Sequence, residues 1–395
     1  MIEARQFVEA ARDRGFRWYA GVPCSFLTPF INHVLQADEL EYVSMANEGD
    51  AVALIAGIAL AGERGGTAHR RGIAMMQNSG LGNAVSPLTS LCWTFRLPLL
   101  LIVTWRGQPG VADEPQHALM GSITPSLLES MQIRWELFPT EADQLAAALD
   151  RATAHMDETG LPYALLMQKA SVAPGTLERP RPINGRAPDA RPVRRGGDCG
   201  TTRPSRQEAL RAVVAHTPAA STVVLATTGY CGRELYAVAD RPNQLYMVGS
   251  MGCVVPLALG LALARPDLDV LALDGDGAAL MRMGAIATAG AYAAPNFRHL
   301  LLDNGAHEST GGQATVSPRI SFAGVAAACG YAQALESDEL ADIVDWLEQP
   351  RSSAARFARL RIRAGTPGDL PRPSISPVDV KMRLMAHIGA RRGAR

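Results

Sequence analysis

Two kinds of stretch alternate along this chain. Brief apolar runs closed by turn formers read as buried strands, and the stretches between them have the length and apolar content of helices. In the first part the strand-like runs are RWYAGVP from Arg17, YVSMA from Tyr42, GIAMMQN from Gly72, LPLLLIVTW from Leu97 and YALLMQ from Tyr163. They resume as STVVLATTG from Ser221, QLYMVGSMG from Gln244, DVLALDGDG from Asp269, FRHLLLDNG from Phe297 and ARFARLRIRAG from Ala355. Strands alternating with helices predict parallel sheets, so the expected class is α/β, with two doubly wound parallel-sheet domains. Between the two series the composition turns to Pro, Gly and Arg and the buried periodicity stops. That break predicts a first domain over 1–172, a linker or extended surface crossover over 173–206 and a second domain over 207–395. AALMRMGAIATAGAYAA, from Ala278, reads as a single helix, and ISPVDVKMRLMAHIGARRGAR as a last helix with a frayed basic end.

Bulk properties narrow the class without fixing the function. The chain has 395 residues, of which 47% are hydrophobic, ample for two cores. Its 38 basic and 38 acidic residues balance, so no overall field favours nucleic acid. The N-terminus is a charged amphipathic helix and not a signal peptide, and no apolar run is long enough to span a membrane. Six scattered cysteines with no CxxC spacing read as reduced thiols, which together with these features predicts a cytoplasmic protein.

The chemistry concentrates where strands are predicted to end. Asp276, between two glycines, and Asn304 each lie just past a predicted strand, at the edge where open parallel sheets bind ligands. A lone GDG is also an ordinary polar turn. Followed by Asn304 a helix and a strand later, however, it resembles the metal–diphosphate motif of thiamine-diphosphate-dependent decarboxylases. The resemblance implies thiamine diphosphate and Mg²⁺ as cofactors. It places Mg²⁺ on Asp276, Asn304 and the carbonyl of Ala306, an oxygen set of the kind Mg²⁺ prefers. Gly275, Gly277 and Ala278 would meet the diphosphate, with backbone amides opening the next helix.

Other stretches match the same family in order. ANEGDAVAL supplies Glu48 as the carboxylate that activates the cofactor, although Asn47 and Glu48 would also make an ordinary helix N-terminus. ATTG offers Thr228 to the diphosphate, and GSMG offers Gly249, Ser250 and Met251, the last as an apolar wedge under the cofactor. GVPCS carries Ser25 where pyruvate-type relatives carry an acidic residue, and PQHALMG matches their histidine-bearing loop, with His117 on one histidine and Gln116 on the other. The long matches GVPCSFLTPFIN, MMQNSGLGNAVSPLTSL and LLDNGAHESTGGQATVS point to the branch that decarboxylates phosphonopyruvate in phosphonate biosynthesis. Thr28 and TTGYCG depart from that branch.

The expected substrate is therefore phosphonopyruvate. Sulfopyruvate or another 2-keto acid is the alternative, and a non-catalytic phosphate-binding protein is a third. A carboxylate beside a phosphonate would cost on the order of 4 kcal/mol per pair of unit charges at an effective dielectric of 20, a cost the neutral Ser25 avoids. Arg106 can face a phosphonate with its planar fork, or pair with Asp113 or Glu114 instead. His117 and His307 are candidates to bind the anion or move a proton, and Thr310, in ESTGGQ, is a candidate hydroxyl donor. The resemblance also implies a homodimer or homotetramer with its active site at a subunit interface.

Overall fold

The computed structural model describes residues 1–62, 71–178, 190–195 and 203–390. They fall into two compact units, Met1–Pro182 with Gly389–Arg395, and Ile183–Ile388.

The first unit is a six-stranded parallel sheet of β1 (Phe16–Gly21), β2 (Glu41–Ser44), β3 (Arg71–Gln77), β4 (Leu100–Thr104), β5 (Arg134–Leu137) and β6 (Tyr163–Met167). Their order is β2-β1-β3-β4-β6-β5. Helices α1 (Ala4–Arg12), α2 (Thr28–Gln36), α3 (Glu48–Ala61), α4 (Leu81–Pro87), α5 (Ala118–Ser130) and α6 (Ala142–Thr159) accompany it. β4 and β6 are buried at every position, which is why their sequence is continuous apolar residues and not an alternation. α3 is apolar almost all round and buried almost throughout, as a helix enclosed on every side must be. β5 escapes a reading by apolar runs because it is an edge strand with no fully buried residue.

The second unit holds a seven-stranded parallel sheet. Its strands are β7 (Val193–Arg194), β8 (Thr222–Ala226), β9 (Gln244–Tyr246), β10 (Asp269–Gly275), β11 (Phe297–Asp303), β14 (Gln333–Ser337) and β15 (Arg356–Arg361), in the order β7-β14-β15-β11-β10-β8-β9. A small antiparallel pair, β12 (Ala306–His307) and β13 (Gln313–Ala314), stands apart from it. The helices are α7 (Arg206–His216), α8 (Tyr230–Val238), α9 (Val254–Ala264), α10 (Asp276–Met281), α11 (Gly284–Tyr292), α12 (Phe322–Ala328), α13 (Leu340–Glu348) and α14 (Pro377–His387).

This second unit differs from the sequence expectation in three places. The Pro/Arg/Gly-rich stretch contributes β7 to the edge of this sheet, and α7 already begins at Arg206, where Ser205 caps it by accepting from the Glu208 N–H at 3.1 Å. The single helix expected after Asp276 is broken at Arg282, whose backbone leaves the helical region, so α10 and α11 are separate. β14 was hidden by its polar composition: Glu336 is buried there because Arg359 of β15 reaches it at 3.3 Å. The basic end of the tail, 391–395, lies outside the described residues, as does most of the linker. Among the described residues no helix is long and apolar enough to cross a membrane, and the five described cysteines are unbridged.

Both sheets reverse their winding between adjacent strands, at β1 and β3 in the first unit and at β8 and β10 in the second. The crevice outside the strand ends at such a point is where doubly wound sheets hold ligands.

Candidate active site

In the second unit the reversal opens a cleft lined by Thr228, Met251, Gly275, Asp276, Gly277, Ala278, Asn304, Ala306 and His307. Nine residues singled out from sequence thus meet on four loops: Thr228 after β8, Met251 after β9, Gly275 to Ala278 at the end of β10, and Asn304 to His307 after β11. Asp276 is 3% exposed, and its Oδ2 accepts from the Thr315 hydroxyl at 2.5 Å. Burial pushes the Asp276 carboxyl up; the Thr315 hydroxyl opposes this and the charge of Asp303 adds to it. Asn304 Oδ1 accepts from the Ala306 N–H at 3.2 Å, which folds the chain back toward Asp276. α10 has six residues, too short for a strong macrodipole, and the N–H groups of Asp276 and Gly277 that open it face the Asp276 carboxylate.

Met251 is aimed by its neighbours. Ser250 and Gly252 flank it in left-handed conformations, with φ of 54° and 83°. A side chain on Gly252 would place its Cβ 2.8 Å from the carbonyl of Ala278, so this loop packs directly on the start of α10. Gly249 and the buried Ser250 belong to the same turn but do not line the cleft. Thr310 does not line it either: it is exposed, and its hydroxyl donates within the hairpin, to the His307 carbonyl and Gln313 Oε1, both at 3.1 Å.

The remaining candidates gather at the strand ends of the first unit. Glu48 opens α3 behind its N-cap Asn47, whose side chain accepts from the Gly49 N–H at 2.8 Å. The capping geometry is therefore present and Asn47 supplies it, leaving the half-buried Glu48 carboxylate to accept from Asn83 Nδ2 at 2.8 Å. Gly80 makes room for that side chain, since a Cβ there would come within 2.5 Å of the Glu48 carboxyl. Arg106 follows β4 and forms a two-pronged ion pair with Asp113, at 2.8 Å through Nε and 2.5 Å through Nη2. This fork, with the N–H groups of Gly107 and Glu114, holds the Asp113 carboxyl far below the usual carboxylate range. Its third edge, Nη1, points to the Ser25 hydroxyl at 3.4 Å, and the guanidinium lies over the Phe26 ring. Asn78, fully buried, fixes the backbone by donating to the Arg106 carbonyl at 2.8 Å. His117 is buried at the start of α5.

Models of two halves of one cofactor fold match the chain. The N-terminal TPP binding domain of thiamine pyrophosphate enzymes matches residues 2–128, and the C-terminal TPP binding domain matches 228–354. The chain is 41% identical over 389 residues to the phosphonopyruvate decarboxylase of Streptomyces viridochromogenes, covering 98% of this chain and 95% of that one. The chain belongs to the thiamine pyrophosphate enzymes. It is also 31% identical to the sulfopyruvate decarboxylase of Methanosarcina acetivorans, over 82% of this chain and 81% of that one. The benzoylformate decarboxylase of Polynucleobacter necessarius shares the fold, with a TM-score of 0.68 at 13% identity, over 92% of this chain and 99% of that one.

A thiamine pyrophosphate enzyme holds thiamine diphosphate, and the cleft suits its diphosphate. The donors are one carboxylate, one amide and one carbonyl, all hard oxygens. No group of three or more His, Cys, Asp or Glu able to hold a metal occurs among the described residues. A cation here would need further oxygens from an anionic ligand, which is how Mg²⁺ is ordinarily bound with phosphates. Cys231 also lines the cleft, but burial pushes its thiol up to about 12, which leaves it inert.

Sequence reasoning did not assign Asn83, Thr315 or Arg206, though each touches a predicted residue or lines the cleft. Asn83 and Thr315 lie inside stretches that match the family but carry no motif role of their own, Arg206 closes the Pro/Arg/Gly-rich stretch, and only the fold brings them near. Gly252→Ala should force a side chain into left-handed backbone and into the Ala278 carbonyl. The expected cost is roughly 1–3 kcal/mol, seen as a lower thermal unfolding temperature together with weaker thiamine diphosphate binding by calorimetric titration. Unchanged unfolding and binding would show that this turn does not shape the cleft.

Proposed function

We propose that this thiamine pyrophosphate enzyme decarboxylates phosphonopyruvate to phosphonoacetaldehyde and CO₂, with Mg²⁺ as a second cofactor. The observation that carries the substrate assignment is the contact between Ser25 and Arg106: a neutral hydroxyl and an oriented guanidinium edge stand together beyond the strand ends of the first unit. The similarity to a phosphonopyruvate decarboxylase over nearly the whole chain supports the same assignment.

Asp276, Asn304 and the Ala306 carbonyl would hold Mg²⁺, with Thr228 and the amides of Gly277 and Ala278 against the diphosphate. Bound thiamine diphosphate would supply the electron sink that lets the carboxylate leave as CO₂. The half-buried Glu48 would exchange a proton with the cofactor, kept in place by Asn83. Arg106 and Ser25 would bind the phosphonate. Asp113 already neutralises much of the Arg106 charge, so the guanidinium acts here as a fixed donor more than as an added cation. His117 and His307 are the candidates to deliver the proton that replaces CO₂. A second copy of the chain would supply the Glu48 edge, making the enzyme a homo-oligomer, and its reduced thiols fit a cytoplasmic setting.

Sulfopyruvate is the second reading, favoured by the 31% identical relative. Release of aldehyde from phosphonopyruvate, sulfopyruvate and pyruvate, compared at equal enzyme, separates the readings: phosphonopyruvate should give the highest kcat/KM. Faster turnover of sulfopyruvate would reassign the enzyme. Arg106→Gln should lower kcat/KM for phosphonopyruvate by about one to two decades, the loss of a hydrogen bond to a charged group. Ser25→Asp should be more damaging still, because it adds repulsion, and pyruvate turnover should suffer least in both variants. Equal losses on every substrate would remove these two residues from the phosphonate site. Glu48→Gln should nearly abolish turnover while thiamine diphosphate still binds, and near-wild-type turnover would rule out its proposed role.

A further inference from the structure

The short hairpin that follows Asn304 is held from outside. β12 and β13 pair only Ala306 with Ala314 and His307 with Gln313, and two pairs are too few to fix a hairpin in water. Yet this segment carries Ala306 and His307 into the cleft. The next residue, Glu308, also lines the cleft and accepts from Arg206 Nη2 and from the Gly365 N–H. Arg206 is 6% exposed, and its other terminal nitrogen donates to Glu234 Oε1 at 2.6 Å and to the Thr366 hydroxyl at 3.2 Å. The ring of Tyr230, on the same cleft wall, lies 5.9 Å from the guanidinium carbon. One buried arginine thus ties the start of α7, the body of α8 and the cleft-side hairpin together.

Burying three charges is costly, and apolar contacts often hold a joint as well. An apolar contact fixes separation, however, whereas a planar guanidinium between two carboxylates also fixes direction. We propose that Arg206 and Glu308 form a positioning clamp that sets the path of residues 304–308, so that the Asn304 side chain and the Ala306 carbonyl face Asp276. Neither residue need touch the cofactor; the clamp acts through the oxygens that it orients. The inference rests on the cleft being the Mg²⁺–thiamine diphosphate site.

Glu308→Gln keeps the shape of the side chain and leaves Arg206 paired with Glu234. Arg206→Gln leaves two carboxylates without their cation, which destabilises the fold itself, so Glu308→Gln is the deciding variant and Arg206→Lys the companion that keeps the charge but loses the fork. Mg²⁺ is titrated calorimetrically into each protein at a fixed excess of thiamine diphosphate, and the unfolding temperature of each is measured with neither present. Partners that orient metal ligands typically govern metal affinity by about ten- to a hundredfold. Glu308→Gln should therefore need about ten times more Mg²⁺ than the wild type, and Arg206→Lys should fall between the two. A folded Glu308→Gln protein with wild-type Mg²⁺ dependence would overturn the clamp, even if its unfolding temperature fell, because a merely structural pair would change stability alone. A wild-type protein that binds no thiamine diphosphate would overturn the functional assignment, and the clamp with it.

Discussion

The parallel register of three strands determines where the chemistry stands. β10 pairs with β8 on one side and β11 on the other, setting Leu273 beside Ala226 and Gly275 beside Leu302. Those pairings leave Thr228, Asp276 and Asn304 each one or two residues past the last matched pair. Shifting either pairing by one residue would turn these side chains to the opposite face of the sheet, because side chains along a strand alternate. The buried residues of β8, β10 and β11 give that register its strength, so the polar loops depend on an apolar core that never touches a ligand.

The apolar strands and the residues just beyond them were legible in the sequence for that same reason. A strand buried on both faces leaves a continuous run, and the turn closing it exposes its polar residue to inspection, as with Asp276 and Asn304. Elements stabilised by charge were not legible. β14 keeps Glu336 inside through Arg359, and β7 is too short to leave a pattern. The break between α10 and α11 left no composition signal, since both sides are rich in Ala.

Among the side chains, sequence order alone could separate a capping role from a chemical one only in part. Glu48 sits where a cap would sit, but Asn47 makes the capping bond, and Asn83, 35 positions on, binds the Glu48 carboxylate. Arg106 was open between substrate and ion pair. The structure gives it the Asp113 pair and leaves one edge toward Ser25. In both places a neighbour distant in sequence satisfies the structural demand and leaves a functional edge available, which no local pattern announces. Arg206 is the extreme case: as the last residue of a Pro/Arg/Gly-rich stretch it looks like surface, yet it is buried between two carboxylates.

The cofactor assignment rests on one cleft between strand ends, and hydrogen exchange reads that cleft without requiring turnover. Amide exchange of the full-length protein would be followed with and without thiamine diphosphate and Mg²⁺. Slower exchange is predicted in the segments 227–231, 249–253, 274–282 and 304–309, where the loops meet, with α13 and α6 unchanged. Unaltered exchange in all four segments, with protection appearing elsewhere, would contradict the assignment of this cleft as the cofactor site.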